Sequence, residues 1–437
     1  MPLRLPDLPD LPELPKLPDG DARVPILHLK WRTVPALAVA AGLFFVAADG
    51  WLGPHLGLSK PAEITLGIAT VAMVLWATEA VPLFVTSLLV LALELTWLSP
   101  ALGPSSGNAL FLNAFFSDVT LLFLGGFVLS AALEKTGLDR RIARTILRGA
   151  GTSPRRVLLA TMGTTAFLSM WMSNTAACAL MLGIAGSILA RVPPGDGLRK
   201  SLLIGIAFSA NLGGIATPIG SPPNAIALRY LEAAGRAPGF GTWMLITAPL
   251  VVVLVGLLLV VLVRRWPTQV TEVVLPEEAT APLDRAQVFT LLVLAFTLAG
   301  WLLGGSRGVT AGTVALLPVL AFFATDLLGV PDLRKLPWDV LVLIGGGLAL
   351  GAAIEQSGLA EWMGGRLPLH GAPGFVVTGT VAVLTVVLGT VMSNTATANV
   401  VLPLAASLQG VPSGALLLAV ALSASLSMAL PVSTPPN

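Results

Sequence analysis

The sequence predicts an all-α polytopic membrane protein built from two inverted repeats, each with a re-entrant helical hairpin and a broken transmembrane helix. Three observations lead there. Of 437 residues, 55% are hydrophobic and 11% charged, with a mean hydropathy of +0.86, whereas soluble domains are roughly 25% charged. Apolar stretches long enough to span ~30 Å of hydrocarbon follow one another along the chain. Three sequence blocks of the first half recur, in the same order, in the second.

The N-terminal segment "MPLRLPDLPDLPELPKLPDGDARVP" repeats Leu-Pro-acidic units and lacks the continuous apolar core of a signal peptide. Its prolines exclude a helix, so residues 1–33 are expected to form an extended cytoplasmic tail. Single spans are expected at 34–50, 62–79, 82–98, 119–134, 200–216, 243–263, 286–303, 309–328, 338–354 and 412–430. The stretches 157–190 and 374–408 are too long for one span, and Ser-Asn-Thr interrupts each near its centre. Each suits a hairpin of two half-length helices.

Charge placement tests the hairpins, because Lys and Arg concentrate on cytoplasmic loops. With the N-terminus inside, loop 135–156 is cytoplasmic and carries Lys135, Arg140, Arg141, Arg144, Arg148, Arg155 and Arg156. A single crossing by 157–190 would put its far flank outside, yet that flank carries Arg191, Arg199 and Lys200. Both ends therefore read as cytoplasmic. The second hairpin has no Lys or Arg at its tips and is expected to enter from outside.

The repeat reads directly from the residues. "DVTLLFLGGFVLSAALEKTGL" (118–138) matches "DVLVLIGGGLALGAAIEQSGL" (339–359), Ser173-Asn174-Thr175 matches Ser393-Asn394-Thr395, and "ANLGGIATPIGSPPN" (210–224) matches "ASLSMALPVSTPPN" (424–437). In the first copy Pro-Pro-Asn is followed by a further span. By repeat symmetry the native chain is expected to continue past Asn437 with one more.

Non-helical backbone at membrane depth is tolerated where it is buried in protein or lines a polar cavity. A Ser-Asn-Thr tip offers hydroxyl and amide oxygens, carbonyls from the incoming half-helix and N–H groups from the outgoing one. That set suits an alkali cation bound through oxygens beside an anion held at helix N-termini. Pro-Pro at 222–223 and 435–436 breaks the helix and frees carbonyls nearby. No Lys, Arg, Asp, Glu or His lies within 157–190, 201–228, 374–408 or 411–437. An anion in such a site needs bound cations and helix dipoles to offset its charge, and an embedded enzyme would lack ionisable groups at depth. The net charge of +2 gives no signal for nucleic acid, and Cys178, the lone cysteine, excludes an internal disulfide.

Together these features resemble the divalent anion/sodium symporter family, the INDY-like transporters of dicarboxylates, citrate and sulfate, over about residues 34–437. The resemblance implies a scaffold, a transport domain that moves elevator-fashion, and a homodimer in the cell membrane. It divides the chain into scaffold helices at 34–117, a first repeat at 118–265 with broken helix 200–228, a linker with further scaffold helices at 266–337, and a second repeat at 338–437 with broken helix 412–437. Carried over residue by residue, Ser173, Asn174, Thr175, Ser393, Asn394 and Thr395 contact substrate carboxylates, with Ser221, Pro222, Thr434 and Pro435 facing the same substrate. Ser169, Ser173, Asn174 and Gly220 form a first sodium site; Ser393, Asn394, Gly389, Thr390 and the Ser433 carbonyl form a second. One departure stands out: Ser169 precedes Ser173 by four residues, but the matching position before Ser393 is Gly389, where sodium-coupled relatives carry a threonine. The expected function is thus Na⁺-coupled symport of a C4-dicarboxylate, with sodium-independent exchange, or sulfate or citrate as cargo, as alternatives.

Other polar residues have plainer expectations. Asp118 and Asp339 read as N-caps of their spans, and Glu134, Glu355 and Glu79 as groups at span ends. Glu94 lies inside an apolar stretch, where an ionisable group is a functional candidate by default. His28, His55 and His370 sit in loops without ligand spacing. Segment 138–149, "LDRRIARTILRG", reads as a basic amphipathic helix on the cytoplasmic leaflet, and 359–367 as its less basic counterpart.

Overall fold

A computed structural model describes residues 33–51, 53–103, 107–273, 282–366, 373–408, 411, 413–430 and 433–436. Of the expected tail over 1–33, residues 1–32, with His28, lie outside them, as do His370 and Asn437, whereas Thr33 already opens the helix Thr33–Ala48. The described chain is helical from end to end, with no strand among the described residues. Helices long and apolar enough to cross a membrane are Lys60–Thr78, Leu83–Leu102, Asn108–Lys135, Phe240–Arg265, Arg285–Leu303, Trp338–Gln356 and Gly374–Val391. Shorter apolar helices are Thr33–Ala48, Asn174–Leu189, Ala311–Ala324 and Ser413–Leu426.

Both interrupted stretches are helix pairs. The first hairpin joins Pro154–Ser169 to Asn174–Leu189, and the second joins Gly374–Val391 to Asn394–Ala406. The first broken helix runs as Gly197–Gly214, a non-helical break at 215–221, then Pro222–Ala233. Its counterpart, Ser413–Leu426, gives way to non-helical backbone at 427–430 and 433–436. The hairpins and the breaks of the two halves thus correspond, while the helix Pro222–Ala233 has no counterpart among the described residues of the second half.

Small residues set the closest packing. A Cβ on Gly213 would run into the backbone of Ala166, and one on Gly125 into that of Ala315. The first broken helix thus lies directly on the hairpin, and Asp118–Lys135 directly on Ala311–Ala324, as small-residue contacts between membrane helices allow.

The basic amphipathic helix is present as Leu138–Arg148. Its Ala143 and Leu147 share one apolar cluster with Leu168, Met172, Ala177, Cys178 and Met181, so it lies against the first hairpin. Its counterpart Leu359–Arg366 instead packs towards the first scaffold helices, with Trp362 Nε1 donating to Leu56 O at 2.9 Å.

The acid at the start of the first repeat behaves differently from expectation. Asp118 lies in the first turn of its helix, where Ser117 holds the N-cap position. Its carboxylate instead accepts from Thr310 Oγ1 and, at 3.0 Å, from the Gly312 N–H, so it caps the neighbouring helix Ala311–Ala324. The unpaired N–H groups of that helix start supply the stronger attraction. Asp339 likewise sits in the first turn of its helix, after Pro337.

Candidate functional site

In the first repeat the tip is fixed by local rules. Ser173, in extended backbone, caps the outgoing helix by accepting from the Ala176 N–H at 3.2 Å. The opposing break is held just as tightly. Asn224 Nδ2 donates to Gly214 O and Thr217 O, each at 2.9 Å. Trp243 Nε1 donates to Ile215 O at 3.1 Å and Thr247 Oγ1 to Ala216 O at 3.2 Å. Thr217 Oγ1 donates to Met170 O at 2.6 Å, joining break to tip.

Between tip and break lies a cluster of oxygens. The Ser169 hydroxyl is 2.7 Å from the inward atom of the Asn174 amide and 2.6 Å from Ala210 O. That amide atom is also 3.2 Å from both Gly220 O and Ala210 O. With nitrogen turned inward, the amide donates to these acceptors and the cluster satisfies itself. With oxygen inward, a hydroxyl, an amide oxygen and two carbonyls face one another, and one hydroxyl proton cannot serve them all. A cation resolves the second arrangement. Glycine is required here, because a Cβ on Gly214 would strike the Asn174 amide and one on Gly220 would strike Gly214.

The second repeat builds the same cluster. Ser393 caps its helix through Ala396 N at 3.2 Å, and the Asn394 N–H donates to Ser433 O at 3.1 Å. The inward atom of the Asn394 amide lies 3.2 Å from Ser433 O, 3.1 Å from Ser427 O and 3.1 Å from Ala424 O. Ala424 pairs with Ala210 in the sequence repeat, and Ser433 with Gly220. Thr390 turns its hydroxyl back onto Val386 O at 2.7 Å, within its own helix. Gly389 faces Ser427, whose side chain fills the space a Cβ would take. In the first repeat the residue paired with Ser427 is Gly213. Ser427 joins the second cluster by its carbonyl and not by its hydroxyl, which donates to Ser423 O at 2.8 Å and to Thr385 O at 3.4 Å.

The two halves also touch. Thr434 Oγ1 donates to Asn211 Oδ1 at 3.3 Å, and Ser221 Oγ lies 3.2 Å from Ser425 Oγ. Thr434 pairs with Ser221 in the repeat and Asn211 with Ser425, so these contacts are reciprocal, as a two-fold relation requires. Ser221 and Thr434 are buried by them, whereas Pro222 is half-buried and Pro435 exposed. Ser173 and Thr175 are exposed at the first tip; Ser393 and Thr395 are half-buried at the second. The structure thus gathers Ser169, Asn174 and Gly220 in one cluster and Asn394 and Ser433 in another, and sets Thr390 apart. Sequence reasoning missed Ala210, Ala424, Ser427, Asn211 and Ser425. Backbone carbonyls leave no sequence signal, but Asn211 and Ser425 are polar residues at matched positions of apolar helices, and that pairing was available.

A cavity of about 530 Å³ reaches Ser173 and Ala176. Glu134, Lys135, Arg140, Asp332 and Lys335 stand along it. Lys135 bridges Asp332 at 2.6 Å, and the Gly329 N–H together with Lys135 holds the Asp332 carboxyl below the usual carboxylate range. Glu94 is elsewhere: it opens a π-helical turn, Glu94–Leu98, fully buried, and neither carboxyl oxygen has a hydrogen-bond partner among the described residues. No group of three or more His, Cys, Asp or Glu side chains that could hold a metal ion occurs among the described residues; what faces the Asn174 and Asn394 amides is hydroxyl and carbonyl oxygen.

Paired hairpins and broken helices, closed on polar clusters inside a bundle of membrane-length helices, define a polytopic membrane transporter rather than an enzyme. The sequence profile of the citrate transporter family matches residues 73–410, and the chain belongs to that family. It is 33% identical over 416 residues to the sodium-dependent dicarboxylate transporter SdcS of Staphylococcus saprophyticus, covering 86% of this chain and 78% of that one. SdcS of Staphylococcus aureus strain MW2 is 33% identical over 446 residues, covering 92% of this chain and 82% of that one. An uncharacterised transporter of Schizosaccharomyces pombe is 34% identical over 400 residues, covering 85% of this chain. The match spans 44% of that protein, less than half its length.

Proposed function

We propose that the protein is a secondary active transporter that carries a divalent anion, a C4-dicarboxylate such as succinate, fumarate or malate, in symport with Na⁺. One observation carries this reading: in both repeats the amide of the Ser-Asn-Thr asparagine faces oxygens alone. Ser169 Oγ, Asn174 Oδ1, Ala210 O and Gly220 O would hold one Na⁺; Asn394 Oδ1 with the carbonyls of Ala424, Ser427 and Ser433 would hold the other. Bound there, Na⁺ supplies the positive charge that the site's own side chains lack. Ser173 and Thr175, with Ser393 and Thr395, stand at the N-terminal ends of the outgoing hairpin helices and would orient the carboxylates there. The names of the staphylococcal relatives support both the cation and the cargo.

In this reading the hairpins and broken helices move together against the remaining helices, elevator-fashion, in a homodimer in the cell membrane with the N-terminus cytoplasmic. The test is uptake of labelled succinate into proteoliposomes. Replacing external Na⁺ by choline should abolish uptake, and Asn174→Ala or Asn394→Ala should abolish uptake and sodium-dependent thermal stabilisation by succinate. Uptake that persists in choline but needs internal dicarboxylate would replace symport by exchange.

A further inference from the structure

The two hairpins differ by an exchange of hydroxyls. Four residues before and four after its serine N-cap, the first hairpin holds Ser169 and Ala177, and the second holds Gly389 and Thr397. All four are buried. Each half thus has one hydroxyl in this pair of positions, on the incoming helix Pro154–Ser169 in the first and on the outgoing helix Asn394–Ala406 in the second.

The two hydroxyls are used differently. That of Ser169 is a member of the first cluster, bonded to Ala210 O and facing the Asn174 amide. That of Thr397 is fully buried and has no hydrogen-bond partner among the described residues. A threonine inside a helix can turn its Oγ1 back onto the carbonyl three or four residues earlier. Thr385 and Thr390 of the same hairpin both do so, each at 2.7 Å. Thr397 does not, and a buried polar group left unmet is costly to keep. Its position shows what it could serve. By the repeat, a Cβ on Gly389 would stand where Ser169 has its own. Thr397 Oγ1 is 3.4 Å from that point, beside Ser427, whose carbonyl belongs to the second cluster.

We propose that Thr397 Oγ1 is a ligand of the cation held at the Asn394 amide, supplying from the outgoing helix the hydroxyl oxygen that Gly389 cannot supply from the incoming one. The second cluster otherwise offers amide and carbonyl oxygens alone. With Thr397 both halves present the same mixture of hydroxyl, amide and carbonyl oxygen, and a hydroxyl has lone pairs to give a cation. Such a ligand presupposes the sodium reading above and adds to it an oxygen from a position that the first half fills with alanine.

The purified full chain in detergent, without dicarboxylate, would be titrated with NaCl against choline chloride at constant ionic strength and followed by thermal shift. Thr397→Val keeps the shape of the side chain and removes the hydroxyl. In choline alone it should melt no lower than the wild type, because no hydrogen bond is lost. The sodium concentration that gives half the stabilisation should rise roughly tenfold, in keeping with the loss of one bond to a charged group. Thr397→Ser keeps the hydroxyl and should stay within about twofold of the wild type. A sodium requirement unchanged in Thr397→Val, or raised as far in Thr397→Ser, would overturn the proposal and leave the sodium reading standing. A wild type that sodium does not stabilise would overturn both. Should Thr397→Val fail to fold, Thr397→Ala, which carries the residue of the matching position, decides by the same outcomes.

Discussion

At the scale of single residues, the two clusters differ at one hydroxyl: that of Ser169 lies in the first, whereas that of Ser427 turns to Ser423 O and Thr385 O. Ser169 faces the cluster from the first hairpin, while in the second half Gly389 makes room for Ser427 from the facing helix. Gly389→Ser alone should collide with Ser427 and destabilise by about 1–3 kcal/mol, as overpacking does. Gly389→Ser combined with Ser427→Gly should recover most of that loss and leave sodium dependence intact, measured by thermal shift with and without Na⁺. No recovery would show that the two positions do not substitute for one another. Glu94 offers a second test. Both its oxygens are buried without partners among the described residues, and removing an unsatisfied polar group in favour of a similar apolar one is neutral or stabilising. Glu94→Leu should raise the melting temperature, by the equivalent of about 1–3 kcal/mol; a large drop would assign the carboxyl a partner in the folded state. Much of this scale was legible beforehand: Asn174 and Asn394 stood out as repeated polar residues in apolar surroundings. Ser427 did not, because a serine in a small-residue helix looks like packing until its neighbour is known to be a glycine.

At the scale of elements, the breaks are shaped by what satisfies them. Asn224, just past Pro222-Pro223, donates both its amide protons to carbonyls of the break, at Gly214 and Thr217. Asn224→Leu should leave two buried carbonyls without those donors, at about 1–3 kcal/mol each, and should lower the melting temperature accordingly. A melting temperature unchanged in Asn224→Leu would mean that the break closes by other bonds. The hairpins and breaks were readable as elements, since Ser-Asn-Thr and Pro-Pro carry strong local preferences and the flanking charges expose the turn back. What stayed hidden was which element closes which. Asp118 looks like the cap of its own helix, yet it caps Ala311–Ala324, because a contact across nearly two hundred residues leaves no local pattern.

At the scale of the whole molecule, the repeats are joined by Thr434 with Asn211 and by Ser221 with Ser425. Asn211 also lies 3.4 Å from Asn174 Nδ2. When the Asn174 oxygen turns inward, its nitrogen faces Asn211, and Asn211 in turn faces Thr434, the neighbour of Ser433 in the second cluster. The two clusters are thus three side chains apart. We expect sodium activation of uptake to be sigmoidal, and the double variant Ser221→Ala/Thr434→Val to flatten it towards a simple hyperbola while destabilising the fold by about 0.5–1.5 kcal/mol per lost hydrogen bond. A curve that stays equally sigmoidal would separate the clusters energetically.

The reciprocal pair has one more consequence. Each half completes the polar interior of the other with the same two positions, so neither half is finished alone. A single copy of this repeat would leave Asn211 and Ser221, or Ser425 and Thr434, without the partners that the other half supplies.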